Sequence, residues 1–293
     1  MSTTHFQTRW GRIRLLVILG SLSAFPPMSL DLYLPAFPQI AQGFGVETSS
    51  VQLTFSASLL GLTLGQLQYG PLSDRYGRKK PLIGGLIVFI LASIGCAFAP
   101  SLGILVALRF IQALGGCAGM VIARAIIRDC YSGNEMARTM SAMMVVFALA
   151  PVLAPTIGAF ILSFASWQWL FVFLAGFGLY CLLAVLTLPE TLEPERRNDH
   201  GFVDAMRAYR TIARNRSFVY ATLIAACSSA MLFSYISSSP TVFMGTFGLS
   251  AATFGVIFGV NSAFFAVGAQ VNMRLLRRFD VHTLLRGFLT LQS

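Results

Sequence analysis

The chain has 293 residues, 56% hydrophobic and only 11% charged, with a mean hydropathy of +0.72. Water-soluble domains average about 45–50% apolar and about 25% charged, so this balance belongs to a membrane protein. The net charge of +10 would suit a nucleic-acid binder, but the positions of the charges argue against that.

Apolar stretches of roughly 20 residues, enough for a helix to cross a bilayer, recur at 13–37, 48–69, 82–100, 102–124, 139–163, 167–188, 217–240 and 250–272. A ninth begins near Leu284. They are continuous, where a barrel strand would alternate every second residue. The expectation is an all-α membrane protein with eight complete spans. No cleavable signal is evident, because the first stretch is long and carries Asp31.

Twenty of the 21 Lys and Arg residues fall on alternate connections. They are Arg9, Arg12 and Arg14 before the first span, then Arg75, Arg78, Lys79 and Lys80, then Arg124, Arg128 and Arg138. Six lie between 196 and 216, and Arg274, Arg277, Arg278 and Arg286 follow the eighth span. The connections near 38–50, 100–102, 163–167 and 241–250 carry none. This bias predicts a cytoplasmic N-terminus. Trp10, Trp167 and Trp169 fall at span edges, where amphipathic rings favour the interface.

In the first span, Asp31 is an acid in hydrocarbon, and Arg109 is its basic counterpart in the fourth. A charge there costs at least about 2.5–3.5 kcal/mol and is a functional suspect by default. Each lies about seven residues from the outer end of its span, which at about 1.5 Å per residue is roughly 10 Å deep. Equal depth predicts an ion pair if the helices are neighbours. The plainer readings are a purely structural pair, or an Asp31 wetted from the interface.

After the second span comes GPLSDRYGRKKP, residues 70–81. Pro71 and Gly77 predict a tight turn, and the bases anchor it to an anionic membrane face. The fifth span carries Ser141, Ala150, Ala154, Pro155, Gly158 and Ala159, small residues and a kinking proline on one spacing. Residues 189–216 form a charged connector. Within it, 202–214 wound as a helix would gather Phe202, Ala205, Met206, Tyr209, Ile212 and Ala213 on one side, suited to the membrane surface; a plain solvated linker is the alternative. Tyr235, Ser234, Ser238 and Asn261 of the seventh and eighth spans are candidate cavity-lining residues.

A shift of 203 positions lays Phe44-Gly45 on Phe247-Gly248, Phe55 on Phe258, Gly65 on Gly268 and Arg75 on Arg278. Both copies run the same way across the membrane, as in the parallel halves of many secondary transporters. The expected division is a six-helix half over 1–188, a connector over 189–216 and an incomplete second half over 217–293. The same shift sets Ser293 opposite Ile90, in mid-span, which predicts a longer twelve-span protein.

Gly70, Asp74, Gly77, Arg78, Lys79 and Lys80 match the signature between the second and third helices of the major facilitator superfamily. LDLYLPAFPQIA (30–41), RFIQALGGCAGMVIARAIIRD (109–129), ALAPVLAPTIGAF (148–160) and FGLSAATFGVIFGVNS (247–262) resemble its Bcr/CflA drug-resistance branch. The resemblance covers essentially the whole chain. It implies a complete N-terminal six-helix bundle followed by the first two to three helices of the second, and an inner gate in which Asp74 meets a helix N-terminus of the other half. It also implies a proton-transfer role for Arg109 with Gln112, and an antiporter motif at Ala150, Ala154, Pro155 and Gly158. Ala113 departs from the fourth-helix motif, where Gly is usual, and Ser or Ala replaces several glycines of the antiporter motif.

His5, His200 and His282 are scattered, no metal-ligand spacing appears among the five cysteines, and Lys79-Lys80 is followed by Pro81 where a nucleotide loop needs Ser or Thr. Neither enzyme chemistry nor a cofactor is expected, and the energy source would be a proton gradient. The leading expectation is proton-coupled efflux of small amphipathic compounds across a bacterial cytoplasmic membrane by a protein monomeric at full length. A metabolite symporter on the same scaffold, or a non-transporting fragment, are the alternatives.

Overall fold

The structure, a computed structural model, describes residues 9–197, 207, 209–275, 287 and 290. Pro26, Pro27, Pro35 and Pro38 decide the shape of the first span. A proline has no N–H to give the carbonyl four residues back. The expected single run over 13–37 is therefore α1 (Arg9–Ser23), α2 (Phe25–Asp31), a 3-10 turn at Leu34–Ala36, and α3 (Phe37–Phe44). Neighbouring helices close on these breaks through glycines. A Cβ on Gly119 would lie 2.8 Å from the Leu22 carbonyl oxygen, and one on Gly158 would overlap the Leu32 carbonyl. Gly45 ends α3 in the left-handed conformation, φ 65°, a common helix stop.

The first bundle is completed by α4 (Thr48–Tyr76), α5 (Lys79–Ala97), α6 (Leu102–Cys130), α7 (Gly133–Leu162) and α8 (Gln168–Leu186). Helix α6 is its axis, packed against α4, α5, α1 and α2. Small residues set the separation, as membrane helices require: Gly85 of α5 and Gly115 of α6 meet backbone to backbone, and Gly65 of α4 rests on Cys117. Among the described residues, six helical segments are long and apolar enough to cross a membrane. Helix α4 has the length, 29 residues, but is more polar, carrying Gln52, Gln66 and Gln68.

Beyond the connector lie α9 (Arg216–Pro240), a π-helical turn at Thr241–Thr246, and α10 (Ala251–Leu275). Helix α10 packs along α7, with Gly255 against the Pro155 carbonyl and Ala159, and Gly259 against the Val152 carbonyl. Helix α9 is fully buried only at Ser239 and Pro240, with Phe233 and Ile236 half-buried before them, so it meets the first bundle at the end away from the basic residues. The 203-residue repeat is visible in the backbone. Gly45 and Gly248 take φ values of 65° and 66°, and Phe55 and Phe258 are both buried.

Several expectations are corrected. The 70–81 motif is not a loop: α4 runs on through Gly70, Pro71 and Asp74 to Tyr76, and the turn is confined to Gly77 and Arg78. The carbonyl of Leu67, which Pro71 cannot serve, accepts from the Tyr209 hydroxyl at 3.5 Å. Cys130, which the sequence places in a loop, is the last residue of α6, and Cys227, expected as a small packing residue inside a span, is exposed. Trp167 is buried against Phe44 and Phe171, because the end of α8 tucks under α3; Trp10 and Trp169 are exposed. The ninth span near Leu284, and Phe202, Ala205 and Met206 of the connector helix, lie outside the described residues.

Candidate functional site

Arg109 is fully buried on α6 and reaches α2. Its Nη1 donates to Ser29 Oγ at 3.0 Å and to Gln112 Oε1, and its Nη2 donates to the Ser29 carbonyl at 2.8 Å. That carbonyl lies in the last turn of α2, where intrahelical donors run out. The guanidinium lies 4.1 Å from the Tyr33 ring centroid and 5.7 Å from that of Phe171, cation–π contacts that strengthen without water. Gln112 Nε2 donates to Ser93 Oγ at 2.6 Å, tying in α5. Tyr33 shares a hydrogen bond with Thr54 Oγ1 at 3.1 Å, tying in α4. Arg109 Nε has no hydrogen-bond partner among the described residues.

Asp31 is also buried, 5% exposed, but it does not pair with Arg109. Its carboxylate makes no hydrogen bond or ion pair among the described residues. The reason is azimuth. Ser29 is the residue that faces Arg109, and two residues further along a helix is a rotation of about 200°. Matching depth placed the two charges at one level without placing them on facing sides.

A second cluster joins four helices at the basic end. Arg78 Nε donates to Asp129 Oδ2 at 2.8 Å and Nη2 to Oδ1 at 3.2 Å, while Nη1 donates to Asp74 Oδ1 at 2.5 Å and to Ser73 Oγ at 3.0 Å. Burial opposes the Arg78 charge, but the Asp129 and Asp74 hydrogen bonds outweigh it and hold its pKa above the ordinary guanidinium value. Glu190 Oε1 accepts from the N–H groups of Arg78, Thr191 and Leu192 at 2.8, 3.0 and 3.1 Å, and Oε2 from that of Lys79 at 3.1 Å. Lys79 Nζ donates to the carbonyls of Leu186 and Leu188. Asp129 and Glu190 were missed in the sequence. The available signal was their sign: a chain with only 11 acids places these two beside its basic connections. Gly70 borders open space, and Lys80 is exposed.

In α7, Ala150, Ala154, Pro155 and Gly158 are buried, facing α2 through Gly158 and α10 through Pro155, whereas Ser141 is exposed. Asn261 Nδ2 donates to the Tyr235 hydroxyl at 2.5 Å, joining α10 to α9. Ser238 bonds within its own helix, to the Ser234 carbonyl at 2.7 Å. At the charge-poor end Gln52 Nε2 donates to Thr241 Oγ1 at 2.9 Å, and the Phe55 and Phe233 rings lie 6.3 Å apart.

Comparison with known proteins identifies the family. The model of the Major Facilitator Superfamily matches residues 17–293. An uncharacterized MFS-type transporter, YdgK, of Bacillus subtilis is 39% identical over 261 residues, 88% of this chain and 65% of that protein. A bicyclomycin resistance protein homolog of Haemophilus influenzae is 31% identical over 278 residues, 94% and 70%. A chloramphenicol resistance protein of Pseudomonas aeruginosa is 28% identical over 287 residues, 98% and 68%. The chain thus spans about two thirds of the length of these relatives. A bacterial homolog of the human lysosomal transporter Spinster, inward-facing and unoccupied, superposes with TM-score 0.72 at 18% identity, over 93% of this chain and 64% of that one. The family model's match over nearly the whole sequence makes this chain a member of the Major Facilitator Superfamily.

Proposed function

We propose that this protein exports small amphipathic or cationic compounds in exchange for protons, by alternating access of two six-helix halves (1–188 and the half that begins at 217) joined by the 189–216 connector. The observation that carries this reading is Asp31, buried at a helix break with no counter-ion among the described residues. An ionised carboxylate out of water needs a partner. Asp31 takes either a proton or a cationic passenger, not both, which is a sufficient basis for exchange. Arg109, held in place by Ser29 and Gln112, stays charged and sets a fixed positive field that favours release of the Asp31 proton.

The Arg78, Asp74 and Asp129 clip, with Gly70, Gly77, Lys79 and Lys80 around it, forms the inner gate, and the Gln52 to Thr241 hydrogen bond belongs to the outer one. Tyr235, Ser238 and Asn261 line the cavity between halves. Ala150, Ala154, Pro155 and Gly158 let α7 seal it. The membrane is the bacterial cytoplasmic one, with the N-terminus inside and the full-length protein a monomer. The names of the bicyclomycin and chloramphenicol resistance relatives support efflux over uptake. The test is ethidium accumulation in cells without their own exporters. Expression lowers accumulation and a protonophore restores it; uptake that rises with expression would contradict the reading.

A further inference from the structure

On the outer face of the bundle, between the basic ends of α1 and α8, lies a groove of about 480 Å³. That is within the roughly 300–1,000 Å³ of small-molecule sites. Ile18 floors it, and Val17, Tyr180 and Leu183, each about half exposed, form its walls. From Tyr180 to Thr187 it runs about 10 Å along α8 at about 1.5 Å per residue. In a bilayer such a face meets lipid, not water.

Its mouth is cationic. Arg14 is exposed there and, among the described residues, makes no hydrogen bond or ion pair, unlike Arg12, which pairs with Glu135 at 3.0 Å. Among the described residues no acidic side chain lines the groove. The end of α8 at the same mouth would ordinarily repel an anion through its free carbonyls. Here Lys79 Nζ occupies those of Leu186 and Leu188, at 2.9 and 2.8 Å, on either side of Thr187.

We propose that this groove holds an acyl chain of an anionic phospholipid whose phosphate pairs with Arg14. Apolar walls suit the chain, and a guanidinium at headgroup height suits the phosphate. A zwitterionic lipid fits the walls equally well but brings its own ammonium toward Arg14. The difference between the two lipids therefore isolates the charge. The site is separate from the Asp31 and Arg109 region and does not depend on what is transported.

Native mass spectrometry of the delipidated chain in neutral detergent, titrated with phosphatidylglycerol or phosphatidylcholine of matched acyl chains, is the test. One phosphatidylglycerol should be retained with a preference of about fivefold, the effect of one basic residue near an anionic surface. Arg14→Gln should erase the preference, Arg14→Lys should keep it, and Leu183→Trp, which fills the groove while leaving the charge, should remove the bound lipid. Soluble glycerol phosphate should not compete. Equal retention of both lipids, an undiminished preference in Arg14→Gln, an unchanged adduct in Leu183→Trp, or occupancy by detergent alone would overturn the proposal.

Discussion

At the start of α5 the Lys79 N–H donates to Glu190 Oε2 at 3.1 Å, while Lys79 Nζ donates to the carbonyls of Leu186, the last residue of α8, and of Leu188 just beyond it, at 2.9 and 2.8 Å. One residue pair therefore completes two helix ends: the acid meets the positive end of α5 and the base meets the negative end of α8. Glu190→Gln keeps an acceptor but removes the charge and should lower stability by about 1 kcal/mol. Glu190→Ala also strands the N–H donors and should cost about 1–3 kcal/mol. Thermal unfolding in detergent measures both, and equal midpoints for all three proteins would remove the clip from the account.

Arg78 is the less replaceable partner. Lysine keeps the charge but cannot reach Asp74 and Asp129 with a planar fork. Arg78→Ala leaves the largely buried Asp129 without its guanidinium. The cost should approach the lower end of the about 3–5 kcal/mol seen when a buried pair loses one member, because Asp74 is half exposed. Arg78→Lys should fall between. The folded-state pKa of Arg78 is raised, so its stabilisation is fully present below the ordinary guanidinium value and is lost only as pH rises through the folded one. Between about pH 6 and 9 the stability difference between wild type and Arg78→Ala should therefore be flat on account of this arginine.

Glycine packing gives a paired control. A Cβ on Gly158 meets the Leu32 carbonyl, while one on Gly84 meets nothing within 4 Å. Gly158→Ala should destabilise by about 1–3 kcal/mol through overpacking. Gly84→Ala should be neutral or gain up to about 1 kcal/mol of helix propensity. Similar melting points for the two variants would contradict the close approach of α7 to the break after α2.

The Gln52 and Thr241 side chains bridge the two halves at the charge-poor end. With Cys227, the exposed native thiol, replaced by serine, Gln52→Cys with Thr241→Cys should be joined by a short bifunctional thiol reagent. The joined protein should lose most of its transport, while each single variant treated alike should not. Full activity after complete cross-linking would remove this contact from the moving gate.

The sequence disclosed the helices and their order because a continuous apolar run of span length has few alternatives in lipid. It disclosed Arg109 and Asp31 as unusual because charge in hydrocarbon is costly. It misled on their pairing, since depth is readable from residue count but azimuth depends on where Pro26, Pro27 and Pro35 break the first span. Lys79 was visible as a base on a basic connection, but its partner Glu190 lies 111 positions away and becomes adjacent only once α5 and α8 pack. The 70–81 motif was recognisable by composition, yet Pro71 sits inside a helix, with the Tyr209 hydroxyl on the carbonyl it leaves free.

The central claim is that Asp31 holds a proton or a cation but never both. Proton release from purified, lightly buffered protein on addition of ethidium tests it directly. The wild type should release up to about one proton per bound cation, Asp31→Asn should release none while remaining folded, and Ser141→Ala, on the exposed side of α7, should match the wild type. Undiminished release from Asp31→Asn would contradict the account.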